Sequence, residues 1–474
     1  MLPSTPNSSQ KDPLGLSEIR TVVALYLNRK DCRSCMLVAS DWFHDFVPSV
    51  WHTIDFNKDF TAFSGLTSHI LAKYGGFISQ VANISSTEHL KALQHSAIGS
   101  LKSIKVCFRN QGLEFQLLAD TIRRSQGTLI SLDIATPPIH EKPPPAWKNL
   151  YNYMHLMDAI SSPPPPLEDG TWTRCASSLR SIKFDHISIT RESFSSFLQR
   201  CPSLQELSLS NVLLSSHAAS LTLFAGSKLR CLVASLVQVW EPDPNDSLAP
   251  TLLAHFPLLQ KWHITSLTRP SHVSAEMILR DVAKCRSLKD IRFSQGDSDT
   301  TSDLISNVFD GLISCTLSIQ LLASTTILGL VSHLNTLTSI TITGNNTTET
   351  TATLIQDAST TKWLQLIPRL CLHLQLLSFE PVVYDIEVIE ARQWTCLDLR
   401  ELRVRFKDLD TPQQIDRCVK QVRFWRQEAS ASLTQPWDTD TIPIRVAQHM
   451  LKFKRLRIVW LGTGNDYYLP PSTA

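Results

Sequence analysis

Residues 201–210 read Cys-Pro-Ser-Leu-Gln-Glu-Leu-Ser-Leu-Ser, and the fold turns on the spacing of Leu204, Leu207 and Leu209. Leu207 and Leu209 alternate, so they share one face of a short strand while Glu206 and Ser208 take the other. Just upstream, Phe194, Phe197, Leu198 and Cys201 recur at helical spacing. A strand and a helix this short cannot cover their apolar sides alone and must be stacked on copies of themselves.

The copies are in the chain. The same Leu-x-x-Leu-x-Leu pattern, with substitutions, begins at Leu101, Leu129, Leu179, Leu229, Leu259, Leu288, Leu337, Leu374, Leu399 and Phe453. The starts cluster on a separation of about 25 residues and its double, the range of leucine-rich repeats. Leu312 begins a further copy midway between Leu288 and Leu337, with Cys315 in an apolar slot. Cys201 and Cys285, three residues before their hexads, read as small buried hydrophobes. Stacking predicts an α/β fold, a right-handed leucine-rich-repeat solenoid with parallel strands inside and helices outside. It resembles the degenerate repeats that follow F-boxes in many adaptors, although the Asn or Cys that usually follows the last Leu is mostly missing; at the Leu204 repeat that position is Val212.

The first residues organise differently. Cys32-Arg-Ser-Cys35 has the spacing of a metal or redox pair, but no second Cys-x-x-Cys occurs in the sequence. Asp31 reads as a helix N-cap, and Cys35, Val38, Ala39, Trp42 and Phe46 form one stripe. Ser17 reads as the cap of an earlier helix with Ile19, Val22, Val23 and Tyr26 on one face, Pro48 as a helix stop, and Trp51 to Phe56 as an alternating strand.

Pro13-Leu-Gly-Leu16-Ser-Glu-Ile19, Tyr26-Leu27, Lys30-Asp31, Cys35, Leu37-Val38, Trp42 and Trp51-His-Thr-Ile54 resemble the F-box, the helical module that docks on Skp1 in cullin-based ubiquitin ligases. Two positions depart from that pattern: Leu16-Ser17 stands where the family usually has Leu-Pro or Ile-Pro, and Ala39 replaces a frequent Cys. The resemblance implies that Leu14, Leu16, Ile19, Leu27, Cys35, Leu37, Val38 and Trp42 divide between the module's own core and the surface presented to Skp1. It further implies an SCF-type substrate-recognition adaptor, partnered by Skp1 and through it by cullin and RING subunits, with a protein target on the repeats. The alternative is a ligase-independent repeat scaffold whose helices merely cap the first repeat.

The expected organisation is a disordered 1–9, a module over 10–55 and an irregular repeat domain over 56–474, interrupted by a proline-rich excursion at 136–175. Shorter polar connectors are expected at 241–246, 295–303 and 344–353, and one longer helix over 411–428. Strand register places Lys183, Asp185, Lys261, His263, Arg292, Arg403, Arg405, Arg455 and Arg457 on the concave strand face as candidate target-binding residues, with the four C-terminal arginines gathered as an acceptor for a phosphorylated or acidic segment.

A formal net charge of +2 from 45 basic and 43 acidic side chains, without long single-sign runs, gives no nucleic-acid footprint. No apolar run is long enough to span a membrane and the first residues lack the pattern of a secretory leader, so the expectation is a soluble cytoplasmic and/or nuclear protein. Eleven scattered cysteines read as thiols. No catalytic, phosphate-binding or metal motif appears, so no enzyme activity, cofactor or metal is expected.

Overall fold

The computed structural model describes residues 13–95, 98, 100–107, 115–125, 127–135, 178–185, 188–210, 212–215, 228–234, 252–264, 275–307, 311–344, 364–427, 441–462 and 466–471. The tail at 1–9, the excursion at 136–175 and the connectors at 241–246 and 345–353 lie outside them. The chain divides into two compact units, Met1–Gly226 and Ser227–Ala474, and the repeats occur in both.

The first unit begins with three short helices, α1 (Ser17–Ala24), α2 (Arg29–Cys35) and α3 (Ser40–Trp51). Ala24, Cys32, Phe46 and Val50 form their core, with Val23, Leu27, Cys35, Met36, Trp42 and Trp51 packed against it. The stripe from Cys35 to Phe46 is therefore split between two helices. Asn28, not Asp31, caps α2: its side chain accepts from the Asp31 N–H at 3.0 Å. Ser17 does not cap α1; it sits in the first turn and its hydroxyl donates to Asp45 Oδ1 at 2.6 Å. Pro48 lies inside α3 without ending it.

The chain leaves α3 straight into β1 (Thr53–Asp55), whose three residues pair in parallel with β2 (Gln80–Ile84) across α4 (Phe56–Ser64) and α5 (Ser68–Tyr74). The module expected over 10–55 thus contributes its last residues to the repeat sheet. After α6 (Thr87–His95) come β3 (Ser103–Cys107), α7 (Phe115–Arg124), β4 (Ser131–Ala135) and β5 (Ser181–Asp185), all parallel. The short β6 (Ser188–Thr190) leads into α8 (Arg191–Arg200), then β7 (Glu206–Ser210) pairs with β5, and β8 (Leu213–Ser215) with β6.

The second unit continues the pattern: β9 (Cys231–Ala234), β10 (Lys261–Ile264), α9 (Ala275–Val282), β11 (Asp290–Phe293), α10 (Ser298–Asn307), β12 (Ser314–Ser318), α11 (Ser324–Val331), β13 (Ser339–Thr343), α12 (Leu366–Leu370), β14 (Leu376–Tyr384), α13 (Ile386–Ala391) and β15 (Glu401–Phe406). Then α14 (Pro412–Gln427) and α15 (Ile442–Leu451) precede β16 (Ile458–Trp460), which pairs in parallel with β15, and β17 (Tyr467–Tyr468) closes on β16 antiparallel. The stretch 295–303 is not merely a connector, because Asp297 accepts from the Thr300 N–H and starts α10. Thr411 and Gln414 form a reciprocal capping box, with Pro412 at the first helical position, so the expected long helix stands.

The hexads do what their spacing requires. Leu204, Leu207 and Leu209 are buried, as are Leu288, Ile291 and Phe293, and Leu312, Cys315 and Leu317. These are leucine-rich repeats, and two polar devices tie one coil to the next. A hydroxyl just before the hexad donates to the first hexad carbonyl of the preceding coil: Thr128 to Leu101 at 3.0 Å, Ser178 to Leu129 at 2.8 Å and Thr336 to Leu312 at 2.8 Å. Cysteine thiols reach back in the same way, Cys285 to the carbonyls of Leu253 and Phe256 and Cys371 to those of Leu334 and Leu337. Burial pushes the Cys285 thiol up to about 12 and the Cys371 thiol up to about 11, so both stay protonated donors.

One register needs correction. Leu402 pairs with Val459 and Arg403 with Trp460, so the last hexad is Leu456-Arg-Ile-Val459-Trp-Leu461 and does not start at Phe453. Phe453 occupies the turn position that Cys396 holds in the previous coil: the Leu399 N–H donates to Cys396 O and the Leu456 N–H to Phe453 O.

Candidate functional site

The three-helix bundle is fastened by an ion pair between the buried Arg20 and the partly buried Asp45. Arg20 donates to Asp45 at 2.6 Å and to the Leu14 carbonyl at 2.8 Å, joining α1, α3 and the turn before α1. The Ser17 hydroxyl, and then Arg20, hold the Asp45 carboxyl below its usual range. Of the expected α1 face of Ile19, Val22, Val23 and Tyr26, only Val23 packs on the core. Arg20, Val23, Ala24 and Leu27 face inward at i, i+3, i+4 and i+7, and the apolar side chains of Ile19, Val22 and Tyr26 face out. A charged residue heading the inner stripe concealed it.

Of the eight apolar residues singled out in this region, Leu27, Cys35 and Trp42 pack against the bundle core, Trp42 stacking on Phe46 at 5.6 Å. Leu14, Leu16, Ile19, Leu37 and Val38 are exposed, and the structure adds Val22, Leu25 and Tyr26. Leu25, Tyr26 and Leu37 are 75%, 85% and 88% exposed, respectively. Eight large apolar side chains within residues 14–38 are thus exposed. Cys32 carries no reactive thiol: it is buried, donates toward Ala24 O and Leu27 O, and is raised above its usual value first by burial and then by Cys35 and Asp31.

The solvent side of the strands is the second surface. In the first unit Lys105 pairs with Asp133 at 3.5 Å, and Lys183 and Asp185 stand on β5 on the same side. In the second unit two rows follow from the registers. One runs Lys261, Asp290, Ser314, Ser339, Leu376, Glu401, Ile458; the other His263, Arg292, Thr316, Thr341, Ser378, Arg403, Trp460. Asp290 lies 4.0 Å from Lys261 and 3.6 Å from His263 as ion-pair partners, and its carboxyl is held below the usual range, against the opposing effect of burial, chiefly through His263. Arg292 makes no ion pair among the described residues.

The expected four-arginine cluster does not form. Arg455 and Arg457 precede β16 rather than lying on it, because the register begins three residues later; Arg455 pairs instead with Asp398 at 3.2 Å. Arg403 is held by Glu401 (2.5 Å), Asp466 (2.9 Å) and Glu380 (4.0 Å). Arg405 has no acid partner among the described residues and lies over the Trp460 ring at 5.6 Å. Trp460 and Tyr468 were missed with the register; Phe453 in the cysteine position of the turn was the signal. His52 caps α3 rather than lying on a strand. Among the described residues no three His, Cys, Asp or Glu side chains are placed to hold a metal, and no helix is long and apolar enough to cross a membrane.

No protein-family model matches the chain, and no curated protein matches its sequence. Solved structures do match. They include the Toll–Spatzle complex from Drosophila (13% identity, TM-score 0.36, 76% of this chain and 50% of that one) and the TLR13–ssRNA13 complex (13%, 0.34, 77% and 50%). A third is an internalin from Listeria monocytogenes (13%, 0.30, 84% and 76%). The chain spans about half the length of the Toll and TLR13 chains. At such scores the fold assignment rests on this chain's own registers: it is a leucine-rich-repeat protein with an N-terminal helical bundle.

Proposed function

We propose that the chain is the substrate-recognition adaptor of an SCF-type cullin–RING ubiquitin ligase, cytoplasmic and/or nuclear and without catalytic groups of its own. The bundle docks on Skp1 and the strand face receives a protein target. The observation that carries this reading is the exposure of Leu14, Leu16, Ile19, Val22, Leu25, Tyr26, Leu37 and Val38, on the helices and turns of a bundle whose sequence resembles the F-box. A bundle serving only to cover the first repeat has no use for that surface, since α3 and β1 already make the junction with other residues. Trp51 stacks on Tyr74 at 5.5 Å, and Arg29 of α2 pairs with Asp59 of α4.

The mechanism is proximity: holding a target beside the ubiquitin-loaded enzyme replaces a bimolecular encounter with an oriented one. The test is affinity purification of the full chain from cells with cullin neddylation blocked. Stoichiometric Skp1 and cullin support the adaptor. Their absence, with other proteins retained on the repeats, would favour the ligase-independent scaffold.

A further inference from the structure

Charge is balanced over the chain as a whole, 45 basic against 43 acidic side chains, but not over the coils that open the second unit's sheet. Residues 228–234, 257–264 and 286–293, the turns and strands of β9, β10 and β11, carry Lys228, Arg230, Lys261, Arg286, Lys289 and Arg292 against the single acid Asp290. All six cations are exposed. The next two coils, 311–318 and 336–343, hold no charged side chain.

The register fixes where these charges stand. The N–H groups of Gln260 and Lys261 donate to Arg230 O, and those of Lys289 and Asp290 to Gln260 O, so Arg230, Gln260 and Lys289 line up at successive strand starts. Strands about 4.8 Å apart put the Arg230 and Lys289 backbones about 10 Å from each other, and Arg292, three residues on from Lys289, about 10 Å farther along β11. Lys261 pairs in register with Cys231 and Asp290, inside that frame. Lys261 and His263 offset Asp290, whereas Arg230, Lys289 and Arg292 make no side-chain hydrogen bond or ion pair among the described residues.

That spacing decides the kind of anion. One phosphate is too small to meet cations about 10 Å apart, and in the gap between Lys289 and Arg292 the Asp290 carboxylate repels a dianion more strongly than a monoanion. Carboxylates carried on an extended chain, about 3.3 Å per residue, match it. A nucleic-acid strand binds by stacking its bases on aromatic faces, but Trp262 and Phe293 are buried, which leaves His263 as the one ring these coils offer among the described residues. We propose that β9–β11 bind an acidic segment of the protein target, three or more Asp or Glu side chains within about six residues, with Arg230, Lys289 and Arg292 each donating to a carboxylate. The inference rests on the repeats being the target-binding part of the chain, not on Skp1.

Fluorescence anisotropy with the full chain tests it. The probe is labelled Gly-Glu-Asp-Glu-Asp-Glu-Gly, compared with its Gln/Asn counterpart, with a Gly/Ser peptide of equal length carrying one phosphoserine, and with oligouridylate. The acidic peptide is expected to bind saturably and the other three at least about tenfold more weakly. The Arg230→Gln, Lys289→Gln double variant should lose about tenfold, the effect of two exposed ion pairs, at an unchanged unfolding midpoint. Lys407→Gln with Lys420→Gln, the same change of net charge at exposed lysines elsewhere, should bind as wild type. No saturable binding, an equal response to the Gln/Asn peptide, equal losses in the two double variants, or tighter binding of phosphoserine or oligouridylate would each overturn the proposal. Skp1 takes no part in the assay, so failure here leaves the ligase reading intact, and failure of Skp1 binding leaves this result intact.

Discussion

In the coil of β15 the hexad residues Leu399, Leu402 and Val404 are all buried, whereas in the bundle Leu25, Tyr26 and Leu37 keep most of their surface in solvent. The repeats have neighbours above and below, so every apolar side chain of the hexad has an adjoining coil to cover it. The bundle has a core of four buried residues with six partly buried side chains packed on it, joined by Arg20 and Asp45, and eight large apolar side chains within residues 14–38 stay exposed. Apolar residues in one region specify a fold; in the other, on the proposed reading, they specify a partner.

That contrast is open to direct attack, beginning where the largest loss is expected. Leu402→Ala removes a fully buried hexad side chain and should cost about 2–5 kcal/mol in urea unfolding; a change below ~1 kcal/mol would mean that the coils do not share a packed interior. The buried Arg426 of α14 satisfies the turn before β16, donating to Leu456 O (2.6 Å), Pro470 O (2.9 Å) and Phe453 O (2.9 Å). Arg426→Ala leaves these carbonyls without that donor and should cost about 2–3 kcal/mol, read as a lower unfolding midpoint.

Next in size is an effect of pH. His449 is buried against Trp394 and Phe453, and neither ring nitrogen is hydrogen-bonded. Burial, followed by Lys452, lowers its pKa to about 4, with Glu390 opposing. A base depressed in the folded state favours unfolding once the unfolded chain takes up its proton. Its contribution is therefore complete above about pH 6.5 and is lost as pH falls from there toward 4. Unfolding midpoints should decline through that window in the wild type and decline less in His449→Phe. A smaller loss is expected from Gly329→Ala: the added Cβ would meet Ser306 Oγ at 2.5 Å and Ile305 Cγ2 at 3.1 Å where α11 packs on α10, costing about 1–2 kcal/mol. At the other extreme, Leu37→Asp should leave stability within about 0.5 kcal/mol, because nothing in the bundle is built on that side chain.

The sequence was most legible where its period was strict. Leu312 was placed from spacing alone and lies where expected, with Cys315 and Leu317 buried on β12. It was least legible where the backbone departs from the period. The β2 coil breaks the hexad spacing because a bulge at Asn83, with φ 60, separates Val81 from Ile84 by three residues; the Asn83 side chain donates to Asp55 Oδ1 at 2.7 Å. At β16 the aromatic residue in the turn imitated a hexad leucine and shifted the register, carrying Arg455 and Arg457 onto a face they do not occupy. In α1 the buried Arg20 heads the inner stripe, and of the expected face Ile19, Val22, Val23 and Tyr26 only Val23 packs inward. Which side chains of the bundle are free to meet a partner is a tertiary fact, set by the Arg20–Asp45 pair, and periodicity does not encode it.

The most direct test is the affinity of purified Skp1 for the full chain and for the Leu25→Asp, Leu37→Asp double variant, with folding checked by an unchanged unfolding midpoint. Trp42→Ala is the poorer probe, since Trp42 packs on Phe46 inside the bundle. The outward surface predicts that wild type binds and that the double variant loses at least ~100-fold, the effect of removing two central apolar contacts from an interface. A wild-type chain that does not bind Skp1, or a double variant that binds it equally well, would contradict the assignment.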